Sequence, residues 1–123
     1  TVTIVEHNLN MPLPDLGPFD AIISSFVIHH LPDERKRALY GEIFDALTPG
    51  GVFCNLEHVE PVSVRAHQRW MEAMGRTPAD EDPSNLLTPV ETQLAWLREI
   101  GYIDVDCYWK WLEFAVLAGW KPA

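Results

Sequence analysis

The sequence predicts an α/β fold with a mostly parallel sheet that ends in an antiparallel strand pair. A nearly continuous apolar run, residues 19–28, and a second predicted buried strand, residues 52–59, flank an amphipathic helical segment, which is typical of a right-handed parallel crossover. Residues 102–109 alternate in polarity and residues 113–120 are predicted as another strand close behind them, which predicts the antiparallel pair. A chain of 123 residues allows one domain, residues 1–123.

Composition narrows the function classes. The net charge is −9, with 18 acidic against 9 basic residues, which argues against broad binding of nucleic acid or of an anionic membrane surface. The only basic run, residues 35–37, is interpreted as the solvated face of a helix. Cys54 and Cys107 lie in apolar stretches without metal-site spacing, so we expect free thiols in a reducing, cytoplasmic compartment. No apolar run approaches the ~18 residues of a membrane span.

The first half of the chain predicts strand, strand, helix and strand. Residues 2–5 are β-branched and favour a strand, a loop rich in proline follows, and residues 19–28 are the next strand. Asp33 is predicted to cap the following helix. Its apolar side is formed by Leu39, Ile43, Phe44 and Leu47. The Thr-Pro-Gly-Gly segment 48–51 is predicted to end the helix in a tight turn before the strand at 52–59.

The second half predicts two helices before the terminal strands. Ser63 caps a helix that Gly75 closes, with Trp70, Met71 and Met74 on its apolar side. After an acidic loop, Thr88 is the predicted N-cap of a second helix. Pro89 fits its first position, Glu91 completes a capping box, and Gly101 ends the helix. Residues 109–111, Trp-Lys-Trp, are the predicted turn of the terminal hairpin.

Three motifs resemble a known family. Phe19-Asp20 opens a strand, His29-His30-Leu31 follows its end, and Leu47-Thr48-Pro49-Gly50-Gly51 precedes the next strand. Together with the terminal strand pair, this pattern resembles class I S-adenosylmethionine-dependent methyltransferases across essentially the whole chain. The resemblance implies a Rossmann-like sheet, S-adenosylmethionine as cofactor and a small-molecule methyl acceptor.

The chain departs from that family at its start. No GxGxG loop and no acid-ended strand pair precede residue 2, so the resemblance implies that residues 2–5 correspond to the family's third strand. The implied sheet order of three, two, one, four, five, seven, six then leaves the strand at 19–28 as a bare apolar edge, which proteins normally cover. We expect homo-oligomerisation through this edge, or residues 2–5 covering it. Because the cofactor would require the missing N-terminal half, we expect the chain alone to bind it weakly and to be inactive.

Cofactor-binding residues follow from the resemblance. Asn8 and Leu9 match the position that reads the adenine, and the alternative for Asn8 is a turn asparagine. Ser24, Ser25 and Phe26 lie at the carboxyl end of a strand, where open α/β sheets bind ligands. His30 is expected to form part of the same wall.

The adjacent histidines leave three interpretations. Metal binding is disfavoured, because neighbours on an extended chain point in opposite directions, and we predict no metal. A catalytic base is the second interpretation, with His30, Glu57 and His58 as candidates. The third is a structural histidine, which we favour for His29. Glu60 also follows the strand at 52–59.

The sequence therefore predicts part of a methyltransferase that acts on an unidentified, small-molecule acceptor. Residues 59–87 form a possible cap over the acceptor, with Trp70 and Met74 as its lid. The alternative is a non-catalytic fragment or pseudo-enzyme that acts as an interaction module through its exposed sheet edge.

Overall fold

A computed structural model describes all residues, 1–123, and confirms the α/β class. In chain order the regular elements are β1 (Phe19–Ser25), a 3-10 turn (Ile28–His30), α1 (Asp33–Ala46), β2 (Leu47–His58), α2 (Val64–Ala73), a second 3-10 turn (Pro78–Asp80), α3 (Val90–Ile100), β3 (Ile103–Trp111) and β4 (Phe114–Trp120). The strand order is β1-β2-β4-β3. β1 runs parallel to β2, whereas β4 is antiparallel to both of its neighbours, so the sheet is mixed rather than mostly parallel.

The strand predicted at residues 2–5 is wrong. These residues form no regular secondary structure, and Val2 and Ile4 are 87% and 92% exposed. β-branched residues favour a strand only where a neighbouring strand pairs with them, and β1 pairs with β2 alone. β1 is therefore an open edge, as predicted, but its expected burial on both faces is wrong, since Ile23 is 75% exposed.

The core lies between the sheet and two helices. α1 and α3 contact each other, α1 packs on β2, and α3 packs on β3 and β4. Along β2, Phe53 and Asn55 are buried whereas Val52 and Cys54 are half-buried, so these two helices cover one face of the sheet. The core side chains include Leu39, Ile43, Leu94, Leu97 and Leu117. No helix is both long and apolar enough to cross a lipid bilayer.

Two predicted N-cap residues, Asp33 and Thr88, form a hydrogen bond with each other instead of capping their helices. Pro32, not Asp33, is the N-cap residue of α1, and Pro89, not Thr88, is that of α3. The Thr88 hydroxyl donates to Asp33 Oδ1 at 2.5 Å, which links the two helix starts. The cap predicted at Ser63 is confirmed, because its Oγ accepts the Ala66 amide at 3.0 Å.

The predicted solvated basic face is wrong for Lys36. Its side chain is 1% exposed, and its ammonium donates to the Leu86 carbonyl and to Thr88 Oγ1, the latter at 2.7 Å. Arg37 does lie at the surface, where it contacts Glu99. Lys36 therefore ties the loop before α3 to α1.

The predicted turns also shift by a few residues. Helix α1 ends at Ala46, so Leu47, which was predicted on its apolar side, begins β2. Residues 48–51 also lie within β2, where Gly50 has φ +83°. Trp109, Lys110 and Trp111 belong to β3, and Leu112 and Glu113 form the hairpin turn. This turn brings Glu113 to the end of the sheet where β1 and β2 finish.

Candidate functional site

A cleft of about 290 Å³ opens beside the carboxyl ends of β1 and β2. This is the edge at which open α/β sheets place their ligands. Its walls include Phe26, His29, His30, His58, Trp70 and Phe114. The strand expected to extend through residue 28 ends at Ser25, and the histidines lie in the 3-10 turn that follows.

The two adjacent histidines do not point in opposite directions, as an extended chain would require. Their ring centroids are 4.1 Å apart at an angle of 47°. His29 is buried, whereas His30 is exposed and its Nδ1 lies 3.2 Å from the Ser84 carbonyl and from the Ser84 hydroxyl. The 3-10 backbone of Ile28–His30 is the reason, since it curls both rings toward the cleft.

His29 forms a buried pair with Glu57. Its Nδ1 is 2.6 Å from Glu57 Oε1, and both side chains are almost fully buried. A carboxylate only accepts hydrogen bonds, so Nδ1 carries the proton and Nε2 keeps its lone pair. Burial lowers the pKa of His29, with the hydrogen bond and charge of Glu57 acting in the opposite direction. A neutral imidazole with one free acceptor nitrogen is therefore the favoured state.

A polar network holds Glu57 in place from below. The Glu57 carboxylate also accepts the His58 amide at 3.0 Å and the Asn55 side-chain amide at 3.4 Å. Asn55 in turn donates to the Tyr40 hydroxyl at 3.2 Å, and that hydroxyl donates to Gln93 Oε1 at 2.6 Å. Burial raises the pKa of Tyr40 far above its usual value, which keeps the phenol protonated as a donor. The network fixes the carboxylate through residues of β2, α1 and α3.

A second histidine–carboxylate group closes the other side of the cleft. His58 Nε2 lies 2.7 Å from Glu113 Oε1, and His67 Nδ1 lies 2.9 Å from Glu113 Oε2. The other nitrogen of His67 contacts the Glu81 carboxylate. Because both nitrogens of His67 face acceptors, both carry protons, and hydrogen bonds to Glu81 and Glu113 raise its pKa. The imidazolium offsets the charge of Glu113, which is completely buried.

Aromatic side chains form the apolar wall. Trp70 meets Phe114 edge-on at 5.4 Å, Phe26 meets Phe114 at 5.2 Å, and His67 stacks on Trp70 at 5.9 Å. Of the two expected lid residues, Trp70 lines this cleft and Met74 does not. The wall is therefore supplied by α2 and the strand ends together.

The predicted cofactor residues separate into two groups. Phe26 and His30 line the main cleft, while Leu9 and Ser24 line a smaller apolar cavity of about 180 Å³. Ser25 is exposed at the end of β1. Asn8 adopts a turn, with its Oδ1 accepting the Asn10 amide at 3.0 Å and the Asn10 side chain at 3.2 Å.

The predicted catalytic candidates also differ in their placement. Glu57 is buried beneath the cleft, and His58 and His30 line it. Glu60 is exposed and lies outside the cleft. The structure contains no group of three or more histidine, cysteine or acidic side chains arranged to hold a metal ion.

Sequence analysis missed Glu113, His67 and Glu81. Glu113 is a single acid between the apolar segments 111–112 and 114–119, and an acid in such a context signals a buried partner. His67 and Glu81 carried no such signal, because their partners lie 46 and 14 residues away.

Comparisons with known proteins find similarity to methyltransferases. A family model described as a methyltransferase domain matches residues 2–55. An uncharacterised methyltransferase of Anoxybacillus flavithermus is 36% identical over 76 residues, covering 55% of this chain and 35% of that protein. A carboxy-S-adenosyl-L-methionine synthase of Helicobacter hepaticus is 24% identical over 116 residues, covering 83% and 48%.

Solved structures share the fold. An O-methyltransferase family protein from Burkholderia thailandensis matches 97% of this chain and 35% of its own, with a TM-score of 0.71 and 17% identity. Human N-acetylserotonin methyltransferase in complex with SAM gives a TM-score of 0.65 at 16% identity, over 97% of this chain and 33% of its own. The chain spans between about a third and a half of the length of the curated relatives it matches.

The strands form a parallel pair followed by a terminal antiparallel pair, which is the arrangement that the sequence resemblance implied. The chain is thus similar to methyltransferases in its matched family model, in a curated relative and in its fold.

Proposed function

We propose that the whole protein transfers a methyl group from S-adenosylmethionine to a small-molecule acceptor, and that this chain supplies the acceptor side of the site. The observation that carries the proposal is the neutral His29, held by buried Glu57 at the carboxyl ends of two parallel strands. The similarity to methyltransferases supports the cofactor, and the complex of a human methyltransferase of similar fold with SAM is consistent with it.

The residues present fit one side of the cofactor. Ser24 and Ser25 offer hydroxyl groups at the end of β1, and Leu9 offers apolar contact, but the cavity shared by Leu9 and Ser24 measures only about 180 Å³. Small-molecule sites usually enclose roughly 300 Å³ or more. We therefore propose that the isolated chain binds the cofactor weakly, and that a longer protein supplies the opposite wall.

The bound cofactor supplies an electrophilic methyl group on a sulfonium. His29 accepts the proton of the acceptor's O–H or N–H group at its free Nε2, which strengthens the nucleophile. Glu57 holds the ring in the required tautomer and stabilises the imidazolium that forms. Trp70 and Phe114 orient the acceptor and exclude water, and residues 59–87 form the cap that carries Trp70.

The central test is methyl transfer by the whole protein carrying His29→Asn, whose amide nitrogen replaces the Nδ1 donor to Glu57 but offers no base at Nε2. We expect kcat to fall by about 10²–10⁴-fold while affinity for S-adenosylhomocysteine stays the same. His7→Asn, at an exposed position, is the matched control. An unchanged kcat in the His29 variant would refute the role of His29 as the base.

Calorimetry with S-adenosylhomocysteine tests whether the cofactor site needs the longer protein. The whole protein is expected to bind it, and the isolated chain to bind at least tenfold more weakly. Binding of equal affinity by both would show that the cofactor site lies within this chain.

A second candidate is supported by the open edge of β1. Ile23 is 75% and Phe19 40% exposed on a strand with only one neighbour, which favours pairing with another copy in an interaction module. Sedimentation velocity distinguishes the two, because Ile23→Lys would convert such a dimer to a monomer. A methyltransferase whose edge is covered within its own chain would be unaffected. The free thiols of Cys54 and Cys107 suit a reducing, cytoplasmic location for either function.

A further inference from the structure

Two histidines of the cleft each present one free acceptor nitrogen. His29 donates from Nδ1 to Glu57, and His58 donates from Nε2 to Glu113, so the proton-bearing nitrogen of each ring is already fixed. His29 Nε2 and His58 Nδ1 have no hydrogen-bond partner. The only fully buried polar side-chain atoms without a partner are Asn55 Oδ1 and Trp70 Nε1. Both free histidine nitrogens therefore remain accessible.

The two rings are close enough to share one ligand. Their centroids are 5.7 Å apart at an angle of 68°, and both line the same cleft of about 290 Å³. The volume suits a molecule of one or two rings. Phe26, Trp70 and Phe114 supply aromatic edges and faces, which favour a flat aromatic ligand.

We propose that the cleft selects an aromatic acceptor with two neighbouring hydroxyl groups, one donating to His29 Nε2 and the other to His58 Nδ1. This inference rests on the proposed function, since the first hydroxyl is the one that receives the methyl group. His58 then determines specificity: it contacts the hydroxyl that is not methylated. On transfer, the oxygen–methyl bond forms as the sulfur–methyl bond breaks, the hydroxyl proton passes to His29, and the sulfonium leaves as a neutral thioether.

The electrostatics of the cleft are consistent with a donor ligand. Burial lowers the pKa of His29, so this ring is neutral near pH 7 and offers a lone pair. The imidazolium of His67 shares Glu113 with His58 and compensates the carboxylate charge. The free nitrogens of His29 and His58 therefore favour a ligand that carries hydrogen-bond donors.

The first experiment is long-range ¹H–¹⁵N NMR of the histidine side chains in this chain. We expect the Nδ1–H tautomer at His29 and the Nε2–H tautomer at His58. Addition of catechol should shift Nε2 of His29 and Nδ1 of His58, while 1,2-dimethoxybenzene, which has no donor, should shift neither. Reversed tautomers, or equal shifts with both compounds, would overturn the inference.

The second experiment measures affinity for catechol and for phenol by the same titration. His58→Gln keeps a donor to Glu113 but removes the free acceptor, and it should weaken catechol binding about threefold to tenfold while leaving phenol binding unchanged. His7→Gln is the matched control. If His58→Gln fails to fold, His29→Asn, which keeps the donor to Glu57, should weaken catechol binding by a similar factor. Equal binding of catechol and phenol by the unaltered chain would overturn the inference.

The two proposals fail in different ways. A whole protein that binds S-adenosylhomocysteine but shows no preference for catechol contradicts this inference alone. A chain that binds catechol as described, in a whole protein that transfers no methyl group, contradicts the proposed function alone.

Discussion

Replacement of buried Lys36 by methionine should lower the free energy of unfolding more than replacement of any other charged residue that was predicted to lie at the surface. Lys36 donates to the Leu86 carbonyl and to Thr88 Oγ1, and it lies 3.5 Å from Asp33. Each hydrogen bond from a charged donor contributes about 1.5–3 kcal/mol, so two give roughly 3–6 kcal/mol. Burial lowers the pKa of Lys36, which reflects the cost of desolvating the ammonium, and methionine recovers that cost. The expected net loss is about 2–4 kcal/mol in the free energy of unfolding.

Urea unfolding followed by tryptophan fluorescence measures this difference, provided that the slope with urea is unchanged. Arg37→Met is the control, because Arg37 and Glu99 are both more than half exposed and such pairs contribute only about 0–1 kcal/mol. If the Lys36 and Arg37 variants lie within about 0.5 kcal/mol of each other, the hydrogen bonds of Lys36 do not hold the loop before α3, and the reasoning is refuted.

Three further changes test other contacts. His67→Gln removes the charged bridge that His67 forms between Glu81 and Glu113. This bridge raises the pKa of His67 in the folded chain. The stabilisation that the bridge gives is therefore complete below about pH 6.5 and disappears as the pH rises through the raised pKa. The difference in unfolding free energy between the two proteins should therefore be larger at about pH 6 than at about pH 9, and a gap that grows with pH would contradict the assignment. Ser63→Ala should cost about 0.5–2 kcal/mol in urea unfolding through loss of the α2 cap, whereas Ser63→Gly should cost only a few tenths. Gly101→Ala should lower the free energy of unfolding by about 1–3 kcal/mol, because Gly101 has φ +123°, which alanine adopts only with strain. An unchanged melting temperature would show that this backbone strain is relieved.

Local patterns predicted most of the regular elements, because each depends on contacts close in sequence. The helix over 64–73 follows from the Ser63 cap, and α3 ends at Gly101, which alone tolerates the positive φ there. The strand at residues 2–5 was wrong for the opposite reason: its residues suit a strand, but no neighbour pairs with them. Propensity predicts what a segment can form, and pairing decides whether it does.

Tertiary contacts account for the other errors. Lys36 lies three residues before Leu39 on the buried stripe of α1, yet its charge suggested a solvated position. Asp33 and Thr88 both carry capping side chains, but these side chains bind each other across 55 residues. A sequence pattern cannot show that two capping residues will meet.

The candidate site was predictable in its position but not in its chemistry. The end of β2 directed attention to Glu57 and His58, as strand ends in α/β folds do. The tautomers of His29 and His58 depend on which carboxylate each ring meets, and those partners lie 28 and 55 residues away. Pairing over such distances is a property of the folded chain alone.

The placement of Glu113 in a two-residue turn also affects how the chain folds. Hairpins usually form early, because their strands are adjacent in sequence. Here the turn carries a buried acid whose partners, His58 and His67, come from β2 and α2. The tip of the hairpin should therefore stay loose until α2 docks. In native-state hydrogen exchange, the amides at the β3–β4 tip and those of α2 should open together as one cooperative unit, separately from the earlier-formed centre of the sheet.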